Sequence, residues 1–417
     1  MKKVNYLFSL ILLFGLLLYG CNQGGNSNNS GDNTKKDTSK TTQEDKKESN
    51  PKPIDPQYGH LARFIAGLPA ESGSPYAKYE SEAGWKNFAS SSDNQWSFIN
   101  NKKVPVMKEW ANQELKKINE KKGLLFYPFS GPDFLHAAVF FPEVDEIVMI
   151  GLEPIGNLPN MDEIAKKSLG GYFGVLQQSL YSILNLSFFQ TNHMAVELTG
   201  KNNPTVDGTL PVLFLFIERT GHKVLHYEKI AISPEGKIIS ADKVQNKGTD
   251  STYYGTKIAF RRNDKPNEYK VLYYFAVNLQ DTPYTATSGL TAGGLNERKD
   301  LLNYLESLKI NVTYLKSASY LMYRDTFSRI RNIILGQSEY LLQDDSGMPI
   351  NFIAKDKWKT TFYGTYTSPI PLFSVRYQPD LRVVYQKGGA NVKPLPFGIG
   401  YQYAPGTSNL MLAEKIK

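Results

Sequence analysis

The sequence predicts an α/β fold: a mixed, partly parallel sheet with flanking helices, an antiparallel strand block and an irregular aromatic-rich C-terminal region. Three observations predict it. A strand, turn, helix, strand unit fills residues 123–153, a length that favours parallel strands with a crossover. A block of strand-like segments follows at about 190–265 and reads as an antiparallel insertion or extension. Strands and helices then alternate again over residues 269–343.

Each element has a local cause. Val104 to Lys122 is polar with Met107, Trp110, Leu115 and Ile118 near one face, the spacing of an amphipathic helix. Gly123 to Phe129 is a short apolar run and reads as a buried strand. Ser130-Gly131-Pro132-Asp133 is a turn that opens a helix over Phe134 to Phe141, with Pro near its first position and Asp in its first turn. Pro142 ends that helix, and Glu146 to Leu152 is a second apolar strand ending at Glu153. Met161 to Leu186 reads as a long helix interrupted at Gly170, Gly171 and Gly174.

The β-patterned block comprises His193 to Thr199, Leu210 to Arg219, Lys223 to Ser233 and Tyr254 to Arg261, with turns at Gly221 and Pro234-Glu235-Gly236. Beyond it the pattern predicts a strand over Tyr269 to Leu279, a helix over Asn296 to Leu308 and a strand over Ile310 to Leu315. A helix over Ser317 to Leu335 closed by Gly336, and a strand over Tyr340 to Gln343, complete the alternation. The last seventy or so residues have weak periodicity; short strands are expected near Phe362, Phe373 and Tyr401.

The N-terminal residues concern location. Lys2 and Lys3 precede an apolar run from Leu7 to Leu18, followed by Leu18-Tyr19-Gly20-Cys21. That order is a secretory signal, and its end resembles the bacterial lipoprotein lipobox, which implies acylation at Cys21. Asn22 to Pro53 holds no aliphatic or aromatic residue, so it buries nothing to offset its conformational entropy and reads as a disordered tether. The expected organisation is a signal peptide at 1–20, a tether at 21–53 and a globular α/β domain at 54–417, with the block at about 190–265 a candidate insertion. The resemblance implies a membrane-attached, extracytoplasmic protein of the cell envelope. Asn22 rather than Asp after the cysteine resembles the outer-membrane sorting signal of a Gram-negative cell.

Composition excludes several classes. Cys21 is the single cysteine, so disulfides, cysteine catalysis and Cys-based zinc sites are excluded from the folded part. Net charge is +8 with the bases scattered, which does not indicate nucleic acid. No second apolar stretch is long enough to span a bilayer.

Ligands in open α/β sheets bind beyond the carboxyl ends of the strands. That rule nominates Ser130, Gly131 and Asp133 after the first strand, Glu153 after the second and Asp281 after the strand ending at Leu279. It adds Lys316 and Ser317, then Asp344, Asp345 and Ser346, after the last two strands. Carboxylates gathered at one edge would hold Mg²⁺ or Ca²⁺, or act as an acid/base pair. The competing structural roles are a helix first turn for Asp133 and a turn cap for Asp345. Ser130 to Asp133 lacks the glycine triad of a dinucleotide site, and Asp345-Ser346-Gly347 occurs once where an aspartic protease needs two such loops. His222 and His226 fall on a strand, and His136 inside the short helix lies within reach of the edge.

Tyr127 to Leu135 with Phe140-Phe141-Pro142, Gln343 to Pro349, Tyr377 to Leu381 and Leu395 to Tyr401 resemble four motifs of an uncharacterised bacterial exported or lipoprotein group. The resemblance implies one domain across the folded part and no assigned activity. Two functional classes stay open. One is an envelope protein binding a ligand or partner, a glycan or a protein, through its C-terminal aromatics. The other is a tethered hydrolase, in a metal-dependent form or not, with Asp133 and Asp345 as catalytic residues and Ser130, Gly131, Glu153, Lys316 and Asp344 as binding residues. No cofactor is named by the sequence. Four motifs meeting at one concave, polar pocket would favour chemistry; four dispersed motifs would favour fold maintenance.

Overall fold

The computed structural model describes residues 54–186, 206–244, 254–282, 294–388 and 391–417. The expected signal peptide, Cys21, the expected tether and the expected strand at His193 to Thr199 lie outside the described residues. Residues 52–417 form one compact unit.

Five parallel strands make the centre: β1 (Leu124–Tyr127), β2 (Glu146–Gly151), β6 (Tyr269–Ala276), β7 (Ile310–Leu315) and β8 (Tyr340–Gln343). Their near-continuous apolar runs suit strands covered on both faces. Antiparallel strands extend both flanks: β5 (Tyr254–Arg262), β3 (His222–Ile232) and β4 (Ile238–Ser240) beyond β6, and β11 (Asn409–Lys415) and β9 (Trp358–Gly364) beyond β8. The two-residue β10 (Val392–Lys393) pairs parallel with β9, giving the order β10-β9-β11-β8-β7-β1-β2-β6-β5-β3-β4. The block at about 190–265 is therefore an extension of the central sheet in its described part.

Period-two alternation sorts the buried residues between two helical layers. Leu125, Tyr127, Ile147, Met149, Val312 and Tyr314 face one core with α1 (Pro56–Ile65), α2 (Ala83–Phe98), α3 (Val104–Glu114) and α5 (Phe134–Phe140). The short α4 (Lys116–Asn119), α6 (Met161–Lys167), α7 (Leu169–Leu186) and α8 (Leu210–Arg219) complete that layer. Leu124, Phe126, Val148, Ile150, Ile310 and Leu341 face the other, against α9 (Lys299–Ser307), α10 (Ser328–Gln337) and α11 (Pro379–Lys387).

Several expectations are corrected. Leu210 to Arg219 is a helix with every residue buried, started by Pro211 in its first turn. An all-apolar run carries no period that separates a buried strand from a buried helix. The helix expected over Ser317 to Leu335 begins only at Ser328, where the Asp281 carboxylate accepts from the backbone N–H groups of Ser328 (3.1 Å) and Arg329 (3.1 Å). Gly336 lies inside that helix, which Ser338 caps. The helix over Val104 to Lys122 breaks at Leu115, and the long one after Met161 breaks at Ser168, just before its glycines. Phe373 sits in a 3₁₀ segment and Tyr401 in a turn, whereas α11 and β11 give the C-terminal region more regular structure than its composition suggests.

His222 at the start of β3 stands edge-on to Phe134 (5.5 Å) and Phe260 (5.4 Å). Burial, then the cations Lys270 and Arg262, push its imidazole down to about 3. The folded chain keeps it neutral where the unfolded chain protonates it, so it withdraws stability as pH falls from 6.5 to about 3. Urea midpoints measured across that interval should fall more for the wild type than for His222→Phe; parallel curves would refute this.

Candidate functional site

The parallel strands reverse their order at β1: β2 and β6 lie on one side of it, β7 and β8 on the other. Crevices at such a switch point, beyond the strand carboxyl ends, are the ligand sites of open α/β sheets. The loops after β1, β7 and β8 meet there, and each brings side chains nominated by the sequence.

Asp133 caps α5 by accepting from the His136 backbone N–H (3.3 Å). Its carboxylate also accepts from Tyr127 Oη (2.8 Å) and Lys316 Nζ (2.5 Å), and both its oxygens lie 2.9 Å from His136 Nδ1. All of these groups are buried. Burial opposes ionisation of Asp133, yet His136 and Lys316 around it hold its carboxyl well below the usual range. Burial lowers both Lys316 and His136; Asp133 opposes the shift in each. The neutral imidazole that results donates Nδ1–H to Asp133.

Across Lys316 lies a second carboxylate. Asp344 Oδ2 accepts from the Ser317 backbone N–H (2.9 Å), and Oδ1 accepts from the backbone N–H (3.0 Å) and Oγ (2.5 Å) of Ser346. Burial, reinforced by Asp345, pushes Asp344 up to about 7. Asp345 accepts from Tyr320 Oη and from Asn409 Nδ2 (3.0 Å), and burial raises it too. Asp344, rather than Asp345, therefore caps the turn after β8. Gln343 brackets the same turn through both backbone groups of Met348.

The backbone is strained here. The four non-glycine residues with positive φ among the described residues are Phe129 (+61°), Ser317 (+52°), Ser319 (+52°) and Tyr320 (+56°), all just past β1 and β7. Such residues persist where surroundings over-determine them, and they cluster at sites of function.

All four sequence motifs reach this edge. The first supplies Tyr127 and Asp133, and the second supplies Asp344, Asp345 and Ser346. The third sends Gln378 Nε2 to the Asp345 carbonyl (3.1 Å). The fourth lays Gly400 (φ +67°) against Asp344, where an added methyl would stand 2.3 Å from Oδ2. Tyr401 Oη donates to the Ser317 carbonyl (3.1 Å) and pairs with Ser319 Oγ (2.7 Å). No family model, no curated protein and no solved structure matches the chain.

Other nominated residues hold the frame. Ser130 Oγ donates to the Gly131 carbonyl (2.7 Å), and its backbone N–H reaches Ile150 O (2.9 Å), tying the ends of β1 and β2. Glu153 is buried, its carbonyl accepting from Tyr274 Oη (3.0 Å). Asp133 and Asp345 share no hydrogen-bond partner: Tyr127, His136 and Lys316 serve the first, Tyr320 and Asn409 the second. With strands about 4.8 Å apart, the ends of β1 and β8 are separated by roughly 10 Å and those of β2 and β8 by roughly 14 Å. Among the described residues, no three His, Cys, Asp or Glu side chains are gathered for a metal ion.

Beside this buried network lies an open cleft of about 330 Å³, lined by Thr367, Ser368, Tyr401, Gln402, Tyr403 and Thr407 with Pro369, Ile370 and Ala404. None of these carries a charge. Tyr320, Asn409 and Gly400 were not singled out from the sequence; the only signal for Gly400 was its place in the fourth motif.

Proposed function

We propose that this chain is a lipid-anchored protein of the bacterial cell envelope, acylated at Cys21 and tethered outside the cytoplasm, on the outer membrane if the cell is Gram-negative. Its folded part binds an uncharged, hydroxyl-rich envelope ligand, a glycan, in the cleft at Thr367–Ile370 and Tyr401–Thr407. The observation that carries this reading is the cleft's lining. Hydroxyl and amide groups of Thr367, Ser368, Gln402 and Thr407 match sugar hydroxyls, and the exposed ring of Tyr403 offers a stacking face. In a chain whose residues are 21% charged, nine lining residues without a charge favour a neutral ligand. The membrane is reached through the lipid on Cys21, and nucleic acid is not among the expected partners.

The test has two parts. Calorimetric titration of the full chain with neutral oligosaccharides should show binding that Tyr403→Ala weakens about tenfold, equivalent to 1.4 kcal/mol. Equal affinity of the variant, or no binding by the wild type, removes the glycan. Cys21→Ser should move the protein from the membrane fraction to the soluble one; unchanged partition removes the anchor.

A further inference from the structure

We propose that Ser317 is a nucleophile and Asp344 its proton acceptor, forming an ester-cleaving site beneath the cleft that acts on O-acyl groups. The assignment of the alcohol half of the ester to a sugar rests on the glycan reading above; the chemistry itself does not.

The argument begins with an unused hydroxyl. In the strained turn after β7 the polar groups are taken up one by one. Ser317 N–H goes to Asp344, Ser317 O accepts from Tyr401, Ala318 N–H goes to Ser346 Oγ (2.8 Å), and Ser319 Oγ pairs with Tyr401. Of the hydroxyls of Ser317, Ser319 and Ser346, only Ser317 Oγ is enclosed without a hydrogen-bond partner. An unsatisfied buried hydroxyl is unfavourable, and the backbone of Ser317, not its side chain, does the structural work. A serine in the left-handed region adds conformational strain that glycine would avoid.

A carboxylate faces the same spot. A methyl added to Gly400 would stand 2.3 Å from Asp344 Oδ2 and 3.5 Å from Ser317 Oγ, so both oxygens border the notch left by the missing side chain. They are not hydrogen-bonded to each other, and the proton transfer needs a small rotation of Ser317 or one bridging water. Burial pushes Asp344 to about 7, where it both accepts and returns a proton near neutral pH. Tyr401 donates its hydroxyl to the Ser317 carbonyl and also lines the cleft, so one side chain touches both the cleft and the turn that carries Ser317.

The steps balance without a co-reactant other than water. Ser317 Oγ attacks the ester carbonyl carbon, and its proton passes to Asp344. The carbon–oxygen bond to the alcohol breaks, and Asp344 returns the proton to the departing oxygen. Water then attacks the acyl-serine, giving its proton to Asp344. Ser317 Oγ leaves, recovers that proton, and a carboxylic acid is released.

A fluorophosphonate probe tests this on the full chain. The wild type should take one adduct, located at Ser317 by peptide mass, with a rate that rises from pH 5 to pH 8 as Asp344 ionises. Ser317→Gly, which suits the positive φ and so keeps the turn, should abolish the adduct. Asp344→Asn should slow labelling at least a hundredfold. Hydrolysis of p-nitrophenyl acetate should disappear with the label. Absence of an adduct on the folded wild type, or an adduct that survives in Ser317→Gly, overturns the proposal. Labelling without oligosaccharide binding would keep the esterase and remove the glycan; binding without labelling would remove the esterase alone.

Discussion

Replacing Lys316 by methionine is expected to lower the unfolding free energy by about 3–5 kcal/mol, the loss typical when one partner of a buried ion pair is removed. Asp133 has no solvent exposure and Lys316 only 4%. Methionine keeps the length of the side chain, so packing changes little while the cation disappears. Tyr127 and His136 remain as donors, but neither supplies a full charge at neutral pH. The urea midpoint at pH 7 should drop with little change in slope. Asp133→Asn combined with Lys316→Met should recover part of the loss, since the stranded charge is then gone. The sign of the pH effect follows from Asp133. Its folded value is depressed, so its contribution is present above the ordinary value of 3.8 and is lost as pH falls below it. The gap between wild type and Lys316→Met should therefore narrow in acid. A loss under 1 kcal/mol at pH 7 would show that Asp133 is held by its other partners instead.

Gly400→Ala should destabilise the fold both by straining the backbone and by displacing Asp344. The left-handed backbone alone costs about 1–2 kcal/mol for a residue with a Cβ. The new methyl would also collide with Asp344 Oδ2 at 2.3 Å and displace the acceptor of the Ser317 N–H. Leaving that buried donor unpaired adds about 1–3 kcal/mol. Gly406→Ala is the matched control, because Gly406 has φ +81° with nothing within 4 Å of an added Cβ. It should show the backbone term alone. Equal destabilisation of the two variants would mean that Asp344 is not held in place by the Gly400 turn.

The unit from Leu124 to Gly151 was legible because its punctuation is local: Pro132 and Asp133 open the helix and Pro142 closes it. The strand-end rule found Asp133, Lys316, Asp344 and Asp345 without knowledge of strand order. It missed that β7 separates β1 from β8, which keeps Asp133 and Asp345 apart and puts Lys316 between Asp133 and Asp344. Tyr320, Asn409 and Gly400 reach the site only through tertiary pairing, 25, 64 and 56 positions away from their partners, and no local pattern marks them. Leu210 to Arg219 was misread because burial on all sides erases periodicity.

The outermost strands of the sheet, β10 and β4, are two and three residues long among the described residues. Unpaired strand rims are templates onto which a neighbouring copy adds its own backbone, and brevity is one way to blunt them. Those short strands cover only Phe362 and Tyr363 of β9 and Ile230 to Ile232 of β3, so most of the flank behind each has no strand paired to it among the described residues. Charged side chains there, Lys359 and Lys393 among them, would repel a second copy that added its own backbone to that flank.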